Sequence, residues 1–73
     1  MLRLRDLRED NDLTQETVAK LINCTQATYS KYELGKRSIP INSLIVLARH
    51  YNTSIDYIVG LTKVEKAYPR NKR

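Results

Sequence analysis

The chain has 73 residues, a formal net charge of +5, one cysteine and one histidine. That is enough for one small domain with a core worth only ~3–5 kcal/mol, and it excludes an internal disulfide and a Cys/His zinc cluster. With those supports excluded, oligomerisation or very regular helix packing is the expected support for the core, and no apolar run approaches the ~18 residues that span a bilayer.

In chain order, LRLRDLRED places Leu4 and Leu7 on one face of an amphipathic first helix, and Asp10-Asn11-Asp12 breaks it. Thr14 is the natural N-cap of a second helix, TQETVAKLI, with Val18, Ala19 and Ile22 facing inward. Asn23 stands where a helix stops in the left-handed conformation that Asn tolerates. Thr25 caps a third helix and Gly35 ends it in the same way. Pro40 opens a fourth, from Ile41 to Tyr51, whose run Leu44, Ile45, Val46, Leu47 and Ala48 predicts burial on several sides. Asn52 ends that helix, Ser54 caps a short fifth, SIDYIV, and Gly60 closes it, with Asp56 at the positive end of the helix dipole. No hairpin signal such as Asn-Gly occurs, so the expected fold class is all-α. Residues 1–61 form the domain, and 62–73 read as a flexible tail without internal repeat or low complexity anywhere in the chain.

Charge follows that division. Residues 1–61 carry eight Lys/Arg and seven Asp/Glu, a net of +1, whereas 62–73 carry five Lys/Arg and one Glu, a net of +4. A basic balance suits nucleic acid or an acidic partner, but a basic end is more often solvated than bound. The lone Cys24, without a signal-like N-terminus, points to a reducing, cytoplasmic compartment. Cys24 itself reads as a small core residue rather than a redox sensor, and His50 as a partner for helix carbonyls.

The stretch TQATYSKYELGK holds the functional signal. At 100° per residue, Gln26, Ala27, Ser30 and Lys31 share one face, while Tyr29 and Tyr32 share the other. Glu33 lies about 40° from Tyr29 by the same geometry, a carboxylate on the core edge. Helices two and three, with the turn Asn23-Cys24-Thr25 between them, span twenty residues from Gln15 to Leu34. So short a turn forces a steep crossing, of the order of 90–120°, which needs a small residue such as Ala19 at the contact.

With LRxLREDNDLTQ, VAxLI, YSxYExGKR, LIVLA and SIDYIVGLT in this order, residues 2–61 resemble the lambda-repressor-like, Cro/XRE helix-turn-helix family. The resemblance implies five helices, with the third in the DNA major groove and its N-terminal residues against base edges. Gln26 then pairs with adenine, the Ala27 methyl meets a thymine methyl, and Lys31 donates to guanine; Ser30 reaches a base, a phosphate or only water. Thr14, Gln15, Thr25, Thr28, Lys36 and Arg37 become candidate phosphate contacts. Thr25 is foremost a cap, and Thr28 alternatively faces helix two. Arg3 and Arg5 approach the backbone or stay solvated. The resemblance also pairs Glu33 with Arg8.

SIPINSL departs from the family by one residue between Pro and Leu, which puts that loop's phosphate contact in doubt. Ile39, Ile41, Tyr57 and Leu61 are candidate dimer contacts; alternatively Ile39 and Ile41 close the core. Enzyme chemistry lacks a nucleophile–base pair, a Gly-rich phosphate loop and metal ligands, so no cofactor, metal or small-molecule ligand is expected. The expected function is a sequence-specific double-stranded DNA-binding regulator, a bacterial or phage repressor acting as a dimer. An antitoxin, a restriction-modification controller and a protein-interaction module without DNA contact are the alternatives.

Overall fold

The computed structural model describes residues 2–67. Five helices follow in order: α1 Leu4–Asp10, α2 Gln15–Leu21, α3 Gln26–Glu33, α4 Ile41–His50 and α5 Ile55–Ile58. The all-α expectation holds, with an isolated bridge between Thr53 and Lys66 as the β-type pairing among the described residues.

Each helix stops by the same device. A residue with positive φ, namely Asp12, Asn23, Gly35, Asn52 or Gly60, follows the cap. The next residue's N–H then reaches back five positions: Leu13 to Arg8 O, Cys24 to Ala19 O, Lys36 to Lys31 O, Thr53 to Ala48 O and Leu61 to Asp56 O, at 2.8–3.0 Å. This double closure satisfies carbonyls that a helix end otherwise leaves bare, and it tolerates Asn and Gly because both accept left-handed backbone. At the other ends, Thr14, Thr25 and Ser54 accept the N–H of Thr17, Thr28 and Tyr57. Four of the five stops and these three caps fall where the sequence puts them; the Asp12 conformation was not expected.

The core gathers one face from every helix. Leu4, Leu7, Val18, Tyr29, Leu47 and Ile58 are fully buried, with Ala19, Tyr32, Leu44, Ala48 and Tyr51 around them. α2 packs on α3, and α4 on α5. Cys24 and Ile22 press on this core half-buried. Burial pushes the Cys24 thiol above its ordinary pKa, against an opposing hydrogen bond from the Tyr29 backbone, which suits a core filler.

One expectation is corrected. α4 is not buried on several sides: Leu44, Leu47 and Ala48 face in, but Ile41, Ile45 and Val46 are exposed. A run of five apolar residues covers the whole circumference of a helix, and a lid of one layer covers only one side. Within the expected tail, Thr62, Glu65 and Lys66 make contacts to the domain. The Thr53 hydroxyl donates to Glu65 O, and Arg3 Nη1 donates to Thr62 O at 3.0 Å. The rest of the expected tail, 68–73, lies outside the described residues. Among the described residues no helix is long and apolar enough to cross a membrane.

Candidate nucleic-acid interface

The second and third helices begin alike. Thr14 Oγ1 accepts from Thr17 N–H and Thr25 Oγ1 from Thr28 N–H, each at 3.1 Å. In both turns the two threonine hydroxyls also bond, at 2.9 and 3.0 Å. The stretches TQET and TQAT thus share one geometry, although no internal repeat is expected from the sequence. Gln15 and Gln26 each take the first helical position. Thr28 is half-buried and engaged with Thr25, so its hydroxyl belongs first to the cap.

α3 divides as its spacing predicts. Tyr29 and Tyr32 are buried, whereas Gln26, Ala27 and Lys31 are exposed and Ser30 is half-buried. The first turn of α3 holds no acidic residue, so the positive end of its dipole faces outward without neutralisation. Lys36 and Arg37 follow Gly35 on the exposed loop. Gln26, Ala27 and the cations Lys31, Lys36 and Arg37 therefore lie exposed on one short helix and its exit, with Ser30 at the margin and an aromatic face behind.

Behind that surface lies a buried ion pair. Arg8 Nε donates to Glu33 Oε2 at 2.7 Å, and Arg8 Nη2 donates to Oε1 at 3.3 Å. The two side chains are 13% and 4% exposed, so this contact between α1 and α3 is largely shielded from solvent. Burial pushes the Glu33 carboxyl up, but hydrogen bonds from Arg8 and Gln15, with the Tyr29 phenol nearby, more than reverse it and hold the group below its ordinary pKa. The same bond raises Arg8 further, against desolvation. Arg8 Nη1 also donates to Leu13 O at 3.0 Å, tying the α1–α2 turn to the pair.

The phenols of Tyr29 and Tyr51 lie near this pair, buried, and neither hydroxyl closes a hydrogen bond of ordinary geometry with a described protein group. The Tyr29 phenol still bears on the Glu33 carboxylate electrostatically. Burial raises Tyr29 strongly and pushes Tyr51 up to about 12. Both stay neutral through the ordinary pH range.

Three contacts escape the sequence reading. Gln15 Nε2 donates to Glu33 Oε1 at 3.1 Å, so this expected phosphate contact is also bound internally. Arg3, expected as a backbone contact or a solvated group, turns inward: Nη1 donates to Tyr57 O, and the guanidinium lies 4.2 Å from the Tyr57 ring centroid. The structure also divides the four apolar dimer candidates. Ile39 and Tyr57 pack half-buried on the core, while Ile41 and Leu61 are 59% and 77% exposed. Arg5 pairs with Glu9 at 3.1 Å on the exposed face of α1. His50 stands edge-on to the Tyr51 ring, 5.3 Å between centroids. No group of three or more His, Cys, Asp or Glu among the described residues is placed to hold a metal ion.

The family model described as Helix-turn-helix matches residues 4–58, from the first residue of α1 to the last of α5. An uncharacterized HTH-type transcriptional regulator of Bacillus subtilis, YobD, is 43% identical over 82% of this chain and 54% of its own length. The cryptic phage CTXphi transcriptional repressor RstR of Vibrio cholerae is 39% identical over 80% of this chain and 52% of its own. The antitoxin PezA of Streptococcus pneumoniae is 30% identical over 84% of this chain and 39% of its own. The chain therefore spans about half the length, or less, of these curated relatives. No solved structure matches the chain. The chain belongs to the Cro/C1-type helix-turn-helix family of transcriptional regulators.

Proposed function

We propose that this domain binds double-stranded DNA with sequence specificity and acts as a transcriptional repressor. The exposed N-terminal face of α3 carries the reading: Gln26, Ala27 and Lys31 lie outward on a helix that buries its two tyrosines. Gln26 has the donor and acceptor that match an adenine edge, Ala27 offers a methyl to thymine, and Lys31 donates to guanine. Ser30, half-buried, lies at the margin of that contact.

Thr14, Gln15, Thr25, Thr28, Lys36 and Arg37 flank this face and set the register against phosphates. A two-fold dimer, with Ile41 and Leu61 among its contacts, reads an inverted repeat whose half-site centres lie about one helical turn (~34 Å) apart. Repression then follows from occupying a promoter and excluding polymerase, in the cytoplasm at the nucleoid. The relative named as an antitoxin supports a second role for the same interface, control of a toxin gene beside its own.

Selection from a random duplex pool at about physiological salt, which suppresses nonspecific phosphate binding, tests the reading. Enrichment of an inverted repeat is expected, and Gln26→Ala should relax one position in each half-site. A folded protein that enriches nothing would turn the outward face of α3 over to a protein partner.

A further inference from the structure

Glu33 does more than close an ion pair. Its Oε2 accepts from Arg8 Nε, while its Oε1 accepts from both Arg8 Nη2 and Gln15 Nε2. One carboxylate thereby joins α1, α2 and α3, and two of its neighbours are fixed in opposite senses. Arg8 neutralises it; Gln15 is oriented by it.

The orientation follows from donor and acceptor inventory. An ionised carboxylate only accepts, so the Gln15 amide has to present nitrogen to it. Turning the amide over would place its carbonyl oxygen against Oε1 and cost the hydrogen bond besides. Gln15 is half-buried, so the contact is partly shielded from competing water. Gln26 occupies the same first helical position after the same Thr cap, but it is exposed, and its amide makes no hydrogen bond to another described residue. Of the two equivalent glutamines, one is aimed by the protein and the other is left to adapt.

We infer that Glu33 is a positioning residue for DNA binding: it holds the Gln15 amide with one N–H inward, leaving the second N–H to donate to a phosphate. The role rests on the DNA-binding function proposed for this domain. Glu33 is buried and does not meet DNA itself, so it acts wholly through Gln15 and through the α1–α3 tie. A preset donor binds without the side-chain ordering that a free glutamine has to undergo. The divided treatment of the two glutamines also suits their tasks, because a phosphate contact sets position and a base contact has to adjust to sequence.

Two measurements test this. In the free protein, the Gln15 side-chain amide protons should resonate apart from those of Gln26 and resist exchange broadening. In Glu33→Gln they should move toward the Gln26 values. Because Glu33→Gln leaves Arg8 unpaired and is at risk of unfolding, the pair is also replaced together, Arg8→Met with Glu33→Leu. Wild-type Gln15 signals that coincide with those of Gln26 would overturn the orientation.

The second measurement is a cycle of affinities for the selected duplex, on proteins whose helical circular dichroism is intact. Gln15→Ala should weaken binding about tenfold, the scale of one charge-assisted hydrogen bond. The Arg8→Met, Glu33→Leu protein should lose about as much. Adding Gln15→Ala to it should cost less than about twofold, since the aimed donor is already gone. Independent losses that multiply toward a hundredfold would overturn the role while leaving the DNA reading intact. Wild type that binds no duplex overturns both.

Discussion

At the scale of single residues, the carboxylate of Glu33 decides most. It is 4% exposed, and a charge so placed is tolerable only because Arg8 meets it with two donors. Such a pair adds little net stability over apolar packing, but stripping one partner leaves the other charge stranded. Glu33→Gln should therefore cost ~3–5 kcal/mol in urea unfolding. Glu9→Gln breaks an exposed pair with Arg5 and should leave the midpoint in place. Equal midpoints for the two variants would dismiss the pair as a structural element.

The sign of the acid response comes from the same group. Burial works to raise its pKa, but hydrogen bonds from Arg8 and Gln15, with the Tyr29 phenol nearby, bring the folded value below the ordinary 4.5. A carboxyl depressed in the folded state stabilises fully above its unfolded pKa and loses that stabilisation as pH falls through the folded value. Stability should accordingly be flat above about pH 5 and decline below about 4.5, as followed by urea midpoints across the acid range. The Arg8→Met, Glu33→Leu protein should show a shallower decline. At the alkaline end the sign reverses in cause but not in consequence. Tyr51, raised from 10.0 to about 12 chiefly by burial, is held neutral by the fold, so stability falls as pH climbs between those values. Tyr51→Phe should blunt that fall; an unchanged alkaline profile would count against Tyr51 as its source.

Helix ends are decisive at the scale of elements. Five stops use positive φ and then a bond reaching back five positions, and four were legible as Asn or Gly at the right place. These are local codes, in which the residue that signals the stop also makes it. Asp12 escaped because Asp adopts left-handed backbone less often, and Asp10-Asn11-Asp12 offers three candidates for one position. The apolar run of α4 misled for the opposite reason: which half of a fully apolar circumference is covered depends on the rest of the chain. Gly35 lets the local code be tested alone. A Cβ there meets nothing within 4 Å, so the cost of Gly35→Ala is that of φ +73° alone. It should destabilise by ~1–2 kcal/mol, the left-handed penalty of an L-residue. Asn23→Gly, at φ 55°, should be neutral or slightly stabilising by the same logic. If Gly35→Ala melts with wild type, the stop after α3 is set by packing and not by backbone conformation.

At the scale of the whole molecule, contacts distant in sequence join what local codes leave separate. The Arg8–Glu33 pair was accessible through family resemblance, but Gln15 on the same carboxylate, Arg3 beneath α5 and the return of residues 62–67 were not. Each links positions whose approach is set only after helices pack, and no spacing rule reaches that far. The return segment is the clearest case. Arg3 N–H donates to Ile58 O at 2.8 Å, and its side chain reaches Tyr57 O and Thr62 O, so the start of the domain grips both α5 and the return segment. Thr53, 5% exposed, holds the segment further along through Glu65 O. Thr53→Val keeps the volume and deletes that bond, leaving the Glu65 carbonyl to water. It should cost ~1 kcal/mol, the net worth of one such hydrogen bond. The amide signals of residues 63–66 should shift toward random-coil positions while those of α1 to α4 stay put. A uniform shift across all helices would instead make Thr53 part of the core's packing. Unmoved signals throughout would assign the hold on the segment to Arg3, whose replacement by Met should then release it.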